Sequence, residues 1–121
     1  MKKILIVDDE EGIRETISSY FGQRKFKVYK ANDGSQALEV IKATRPDLII
    51  SDVIMPVMDG FSLLEKIRKH SSYSKIPVIM LTIKSGPKYL EKGISLKADF
   101  YLPKPFELRN LHSFVDLILK D

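Results

Sequence analysis

The sequence predicts an α/β fold in which one parallel β-sheet carries helices on both faces. Three apolar runs rich in branched residues, at 4–7, 48–50 and 78–81, are typical of strands buried on both faces of a sheet. Segments with helical spacing of apolar residues lie between them. This alternation favours parallel strands joined by right-handed crossovers. The 121 residues match the size of a single domain, which we assign to residues 1–121.

Strand and helix alternate five times along the chain. The weaker apolar segments at 28–29 and 100–102 complete a set of five strands. Four helices are indicated by apolar stripes, which consist of Ile13, Ile17, Tyr20 and Phe21; Ala37, Leu38 and Ile41; Phe61, Leu64 and Ile67; and Leu108, Leu111, Val115 and Ile118. A further helix is predicted from Ser85 to Leu96, because Pro87 suits a first helical turn.

Turn residues separate these elements. Asn32-Asp33-Gly34, Arg45-Pro46 and Asp59-Gly60 each stand between a predicted strand and a predicted helix. Asp59 is expected to cap the helix that starts at Phe61. The boundaries therefore agree with the apolar pattern.

The composition excludes several kinds of active site. Without cysteine, the chain has no disulfide framework, thiolate metal site or cysteine nucleophile. His70 and His112 form neither a zinc cluster nor a Ser-His-Asp triad, and we predict both to be polar surface residues. No run reaches the roughly 20 apolar residues of a membrane span, so a soluble cytoplasmic protein is expected.

The charge is moderately positive. Lys and Arg number 20 against 16 Asp and Glu, which gives a net charge of +4. The basic residues are spread from Lys2 to Lys120, whereas nucleic-acid-binding domains concentrate them on one surface. Direct nucleic-acid binding is therefore not expected.

Polar side chains follow four of the predicted strands. They are Asp8, Asp9 and Glu10 after the first strand, Asp52 after the third, Thr82 after the fourth and Lys104 after the fifth. Open parallel sheets bind ligands at the carboxyl ends of their strands. Clustered carboxylates repel one another unless a cation lies among them, and oxygen ligands suit Mg²⁺. Together with a hydroxyl and an ammonium facing an anion, they indicate phosphoryl transfer to an aspartate.

Other phosphate chemistries fit less well. The sequence contains neither a G-x-x-x-x-G-K-[ST] nor a G-x-G-x-x-G motif, and the loop after the first strand is acidic. A phosphatase of the aspartyl-phosphate type requires a second carboxylate two residues after the nucleophile, where this chain has Ile54. Nucleotide binding and ester hydrolysis are therefore disfavoured.

In these residues the chain resembles the receiver domains of two-component response regulators, over essentially its whole length. The resemblance rests on ILIVDDE at 4–10, PDLIISDVIMPVMDG at 46–60, PVIMLT at 77–82 and ADFYLPKPF at 98–106. It implies a doubly wound, flavodoxin-like fold with five parallel strands in the order 2-1-3-4-5. It also implies a signalling switch that catalyses only its own phosphorylation and dephosphorylation, as in chemotaxis and phosphorelays, and not a metabolic enzyme.

The resemblance assigns a metal site. Asp52 would accept the phosphoryl group from a histidine kinase or a histidine phosphotransfer protein. Asp9, Asp52 and the backbone carbonyl of Ile54 would bind Mg²⁺ directly, and Asp8 would bind it through a water molecule.

It also assigns a switch. Lys104 would pair with the phosphoryl oxygens, and Thr82 would donate its hydroxyl to one of them. Tyr101 matches the aromatic residue that changes rotamer when Thr82 moves. The Lys104–Pro105 peptide bond would be cis.

Each residue alone also has a simpler interpretation. Asp8 and Asp9 suit the N-terminus of a solvated helix, and Asp52 suits a turn after a strand. Thr82 and Tyr101 are common in strands, and a lysine such as Lys104 is usually exposed. A pseudo-receiver, which keeps the fold only to bind proteins, therefore stays as an alternative, although the intact set of residues argues against it.

Three positions depart from the family pattern. Ile83 stands where a small residue is common, and we expect it to crowd the phosphoryl pocket and slow phosphorylation. Lys97 replaces a glycine that ends a helix, at a cost of about 1 kcal/mol. Phe100 replaces a frequent acidic residue.

Since neither Ile54 nor Lys84 can accept a hydrogen bond from an attacking water, we also expect slow loss of the phosphoryl group.

The resemblance further implies a partner surface on the fourth helix, fifth strand and fifth helix, where a target protein or a second receiver would dock. Lys84, Lys88 and Lys92 would form a basic stripe next to Tyr101 if the segment is helical. An acidic partner would suit this stripe, and a solvated lysine face is the simpler alternative. The kinase and the target are not identifiable from the sequence, nor is whether the chain acts alone or within a longer protein.

Overall fold

The computed structural model describes residues 1–83 and 87–120, apart from the side chain of Tyr89. Within them, strands and helices alternate as β1 (Lys2–Val7), α1 (Glu11–Gly22), β2 (Phe26–Ala31), α2 (Gly34–Thr44), β3 (Leu48–Asp52), α3 (Gly60–Lys69), β4 (Val78–Thr82), α4 (Pro87–Ser95), β5 (Phe100–Pro103) and α5 (Leu108–Leu119). The strands form one parallel sheet in the order β2-β1-β3-β4-β5. The predicted fold class and strand order are confirmed.

The three strong apolar runs are the inner strands of this sheet. Residues 4–7 of β1 and all residues of β3 and β4 are buried, whereas β2 and β5 at the edges are largely half-buried. Lysines such as Lys27 and Lys30 occur along β2. Charged side chains on an edge strand discourage pairing with another sheet. Burial on both faces explains why residues 4–7 of β1 are apolar and why β3 and β4 lack polar residues until they reach their carboxyl ends.

Helices cover both faces of the sheet, and each face has its own apolar core. On one face, α1 and α5 pack through buried residues that include Phe21 and Val115. On the other face, α2 and α3 pack through residues that include Ile41 and Leu64, and Leu96 after α4 joins them. The four predicted apolar stripes therefore face the sheet, as amphipathic helices in this architecture require.

Local signals at the helix ends behave as expected. The carboxylates of Asp33 and Asp59 accept hydrogen bonds from the backbone N–H groups of Gln36 and Ser62, both at 2.8 Å, and so cap α2 and α3. Lys97 adopts a left-handed backbone with φ of 65° after α4. The helix predicted from Ser85 is α4, which begins at Pro87 in the described residues; Ser85 itself lies outside them.

The two histidines differ from the prediction in part. His70 is exposed and stacks on Tyr73, with ring centroids 3.8 Å apart. His112 is not a plain surface residue, since its ring packs edge-to-face against Phe21 and its Nδ1 lies 2.9 Å from the Tyr20 hydroxyl. Both aromatic partners lie on α1, so His112 belongs to the contact between α1 and α5. Helical periodicity on α5 did not include it because imidazole is not counted as apolar.

Helices able to cross a lipid bilayer are not found among residues 1–83 and 87–120, since none combines sufficient length with an apolar composition.

Candidate functional site

The site lies at the carboxyl ends of the central strands. In the sheet register Val7 pairs with Ser51 and Asp52 pairs with Leu81, so the residues that follow β1 and β4 flank the end of β3. Asp8 and Asp52 are 1% and 6% exposed, and Thr82 is fully buried. Neighbouring parallel strands that end at the same level thus bring two carboxyl groups and a hydroxyl-bearing residue to one edge of the sheet.

Three carboxyl groups converge there. Asp8, Asp9 and Asp52 each offer one oxygen, and these oxygens all lie within 4.8 Å of one another. Asp8 is held in place because its Oδ1 accepts a hydrogen bond of 2.9 Å from the backbone N–H of Glu10. Asp9, in contrast, is exposed. A set made only of oxygen donors, with one side open to solvent, fits Mg²⁺, which keeps several water ligands.

Lys104 reaches into this acidic cluster from the loop after β5. Its Nζ lies 3.2 Å from Oδ2 of Asp8 and 3.4 Å from Oδ2 of Asp52, and its side chain is only 9% exposed. The Lys104–Pro105 peptide bond is cis, as the resemblance implied. One ammonium group cannot neutralise three carboxylates, so the cluster keeps a net negative charge that favours a bound cation.

The Asp52 carboxyl group titrates unusually. Burial and, next in size, the negative charge of Asp8 raise its pKa from 3.8 to about 6, against the opposing effects of Lys104 and of the backbone hydrogen bond from Ile54. Asp52 is therefore largely ionised at neutral pH. An ionised carboxylate is the form that can act as a nucleophile.

Thr82 and Tyr101 lie on the same face of the sheet. Met80 and Tyr101 are opposite each other on β4 and β5, and both belong to the apolar core on the face covered by α2 and α3. Side chains alternate along a strand, so Thr82, two residues after Met80, projects to the same face as Tyr101. The two predicted switch residues are therefore close neighbours in the sheet, and the register brings Thr82 opposite Pro103.

Exposed apolar side chains occur in the loops that follow β3 and β4. Ile54 is 43% exposed and Val57 is 83% exposed in the loop between β3 and α3. Val57 has φ of 70°, a left-handed conformation that a β-branched residue rarely adopts. Ile83 is 70% exposed and lines a groove with Lys104, Phe106 and residues of α1. The expected effect of Ile83 on the phosphoryl pocket stays a prediction, and most of the Ile83 surface is open to solvent.

Gly60 packs next to the site, although in the sequence it indicates only a turn. A Cβ atom at Gly60 would collide with the backbone carbonyl oxygen of Asp52 and would come within 2.9 Å of Cα of Val53. The Gly60 N–H also donates a hydrogen bond of 2.7 Å to the carbonyl of Val53. The start of α3 therefore packs directly against the backbone that carries Asp52. The Asp59-Gly60 pair was the available signal, but it indicates a turn and not a close contact.

The basic stripe is described in part. Lys88 and Lys92 line a groove together with Ile54, Met55 and Phe61, and Lys92 Nζ lies 5.1 Å from the centre of the Phe61 ring. These two lysines therefore face the loop between β3 and α3. Lys84 lies outside the described residues.

Comparison with known proteins agrees with this site. A family model described as the response regulator receiver domain matches residues 4–116. "Probable transcriptional regulator ycf29" of Pyropia yezoensis is 39% identical over 120 residues, which are 98% of this chain and 54% of that protein. "Response regulator MprA" of Mycobacterium leprae is 35% identical over 118 residues, which are 98% of this chain and 51% of that protein. The chain thus spans about half the length of these curated relatives.

Solved structures match over most of both chains. The chemotaxis protein CheY4 of Vibrio cholerae gives a TM-score of 0.93 at 37% identity, covering 98% of this chain and 99% of that one. The non-phosphorylated receiver domain of HemR from Leptospira biflexa gives a TM-score of 0.91 at 30% identity, covering 100% and 96%. The chain therefore belongs to the family of response regulator receiver domains of two-component signalling systems.

Proposed function

We propose that this receiver takes a phosphoryl group onto Asp52 in a magnesium-dependent reaction and changes conformation to control a partner. The observation that carries the proposal is the arrangement around Asp52, a largely buried carboxylate that lies 3.4 Å from the Lys104 ammonium and within 4.8 Å of two further acids. The surroundings of Asp52 thereby combine a nucleophile, a cation for the phosphoryl oxygens and ligands for a metal.

The reaction requires attack by a carboxylate oxygen of Asp52 on the phosphorus atom of the donor. With a phosphohistidine donor, a new O–P bond forms while the N–P bond breaks, and the imidazole leaves with the electron pair and takes up a proton from solvent. Asp9, Asp52 and the backbone carbonyl of Ile54 would hold Mg²⁺, with Asp8 acting through a water. When bound, the metal supplies positive charge that offsets repulsion between the carboxylates and the phosphoryl oxygens.

Lys104 and Thr82 would stabilise the transferred group. In the structure the Lys104 ammonium lies between Asp8 and Asp52, so a small movement brings it to a phosphoryl oxygen attached to Asp52. The Thr82 hydroxyl would donate a hydrogen bond to another oxygen. Because Tyr101 lies on the same sheet face on the adjacent strand, movement of Thr82 changes the space available to its ring.

A histidine kinase or a histidine phosphotransfer protein is the proposed donor. The groove lined by Ile13, Thr16, Ile83 and Phe106 adjoins Lys104 and is open beside the acidic cluster. This groove therefore offers an apolar contact for a donor helix whose histidine must reach Asp52. Docking here would hold the phosphorus atom in line with the carboxylate.

The proposed output surface lies on α4, β5 and α5. Leu90 and Ile94 on α4 are 45% and 65% exposed, and Leu117 on α5 is 60% exposed. Exposed apolar side chains of this size favour binding to a target protein or to a second receiver. Because the basic residues are spread along the chain and are not concentrated in one segment, we propose no direct contact of this domain with nucleic acid.

The acceptor assignment can be tested with acetyl phosphate as the donor. With Mg²⁺, we expect the intact protein to gain the mass of one phosphoryl group, and Asp52→Asn to gain none. Asp116→Asn, which changes an exposed carboxylate on α5, is the matched control and should be labelled like the wild type. Stoichiometric labelling of Asp52→Asn would refute the assignment, and an unlabelled wild type would favour a pseudo-receiver.

A further inference from the structure

Gly93 lies in the second turn of α4, buried against the ring of Tyr101. A Cβ atom at this position would lie 3.0 Å from Cδ2 and 3.4 Å from Cε2 of Tyr101. The first distance is shorter than nearly all real contacts of a Cβ atom, and the second is at the short end of ordinary contact. The aromatic ring therefore rests against the bare backbone of α4 at Gly93. On helix propensity alone, glycine costs about 1 kcal/mol relative to alanine.

Tyr101 also borders the strand that carries Thr82. It is paired with Met80 in the sheet, and both pack in the same apolar core. Its ring also lies against Gly93 of α4. In a close-packed region, a movement of the ring changes the space between β5 and α4.

We propose that Gly93 is a positioning residue, through which the position of the Tyr101 ring is coupled to the position of α4. The inference rests on the proposed function, in which phosphorylation of Asp52 acts on Tyr101 through Thr82. The backbone of Gly93 and the ring of Tyr101 are in direct contact, so a displacement of the ring changes how α4 packs against β5. Leu90 and Ile94 on the same helix are exposed, and a shift of α4 moves them on the proposed output surface. A side chain at position 93 would displace the Tyr101 ring from its contact with the backbone of α4.

The test is a mutational cycle with beryllofluoride, an analogue of the phosphoryl group. Its Kd in the presence of Mg²⁺ is measured by calorimetry for the wild type, Gly93→Ala, Tyr101→Leu and the double variant. We expect Gly93→Ala to change the Kd by about threefold or more, because the substitution alters the balance between ring positions. In the Tyr101→Leu background, the same substitution should leave the Kd unchanged.

Gly12→Ala is the matched control. It also adds a methyl group to a helical glycine, in α1, but no neighbouring heavy atom lies within 4 Å of the added Cβ position. Its Kd should equal that of the wild type. The proposal is overturned if Gly93→Ala binds like the wild type, or if its effect persists without the Tyr101 ring. A wild type that does not bind beryllofluoride would instead refute the proposed function.

A second measurement leaves Gly93 unchanged and so does not depend on the folding of Gly93→Ala. Hydrogen exchange of the α4 amides is followed by mass spectrometry with and without beryllofluoride. We expect the analogue to change exchange over residues 87–95 in the wild type, and we expect no change in Tyr101→Leu, where the contact with Gly93 is lost. An unchanged α4 response in Tyr101→Leu, with beryllofluoride bound, would overturn the coupling.

Discussion

The environment of Asp52 in the folded protein raises the pKa of its carboxyl group. Burial and the charge of Asp8 raise its pKa to about 6, whereas an unfolded chain leaves it near 3.8. Between these two pH values the folded state therefore binds more protons than the unfolded state, so stability falls as the pH rises. The stabilising contribution of Asp52 is complete below pH 3.8 and is lost as the pH passes through about 6.

From this shift we predict that Asp52→Asn stabilises the metal-free protein at pH 8. A pKa change of this size corresponds to about 2 kcal/mol after allowance for solvent near the site. The free energy of unfolding is measured by urea denaturation in EDTA from pH 4 to pH 8. The difference between wild type and variant should grow as the pH rises, whereas Asp116→Asn should differ little from the wild type. A difference that does not depend on pH would contradict the shift.

Ile54 bears on the hydrolysis of a phosphoryl group attached to Asp52. Its side chain is 43% exposed at the mouth of the site, two residues after Asp52, and it has no hydrogen-bonding group. Hydrolysis of an aspartyl phosphate requires a water molecule placed in line with the leaving carboxylate. An apolar side chain at this position cannot orient that water.

We therefore predict a long phosphoryl lifetime that Ile54→Asn shortens by about 3- to 10-fold, because the amide can orient water. The pair Ile54→Asn with Lys84→Glu should shorten it further. The lifetime is measured from the decay of phosphorylated protein after removal of acetyl phosphate. Ile54→Val keeps an apolar side chain and should leave the lifetime unchanged. An unchanged lifetime in both Asn-containing variants would show that another group controls the water.

At the scale of elements, Arg68 ties the end of α3 to two other segments. Its guanidinium donates hydrogen bonds to the carbonyl of Lys97 at 2.9 and 3.0 Å and to the carbonyl of Ile76 at 2.6 Å. It also donates to Oδ2 of Asp99 at 3.0 Å, and the same oxygen accepts a bond of 2.8 Å from the N–H of Val78. One side chain thereby joins the end of α3, the start of β4 and the connection from α4 to β5.

We predict that Arg68→Lys destabilises the fold by about 2 kcal/mol, because an ammonium cannot replace the planar set of donors and leaves carbonyl groups unpaired. The measurement is the midpoint of urea unfolding at constant slope. Arg109→Lys is the control, since Arg109 is 82% exposed in its side chain and pairs with Glu107 on the surface. A loss equal to that of the control would refute the role assigned to Arg68.

For the whole molecule, the acidic cluster links metal binding to folding. Asp8, Asp9 and Asp52 come from two separate strand ends, so their oxygens lie within 4.8 Å of one another only when the sheet is formed. A ligand that binds only the folded state stabilises it in proportion to the logarithm of its concentration above Kd. The chain as a whole should therefore respond to Mg²⁺.

We predict that millimolar Mg²⁺ raises the Tm by a few degrees, corresponding to about 1 kcal/mol. Asp9→Asn should abolish most of this increase and should raise the Tm of the metal-free protein, because one repelling charge is removed. Thermal unfolding is followed by circular dichroism, with NaCl at matched ionic strength as the control. A Tm that responds equally to both salts would count against a metal site.

The sequence by itself determined the fold class and the order of elements, and it predicted the chemistry of the site. Buried strands require continuous apolar runs, so the runs beginning at Ile4, Leu48 and Val78 identified the inner strands. The same burial confines polar residues to the strand ends, which is why the sequence predicts Asp52 and Lys104 as site residues. These features depend on residues that are neighbours along the chain, so a local sequence pattern predicts them. The strand order required the family resemblance, because periodicity does not specify which strands are adjacent.

The tertiary structure alone decided the features that depend on residues distant in sequence. The raised pKa of Asp52 requires Asp8 beside it, and the contact of Gly93 with Tyr101 joins a helix to a strand. The packing of His112 against α1 was not predicted for the same reason. Burial, electrostatic interaction and steric contact depend on distances through space, and one-dimensional periodicity does not contain those distances.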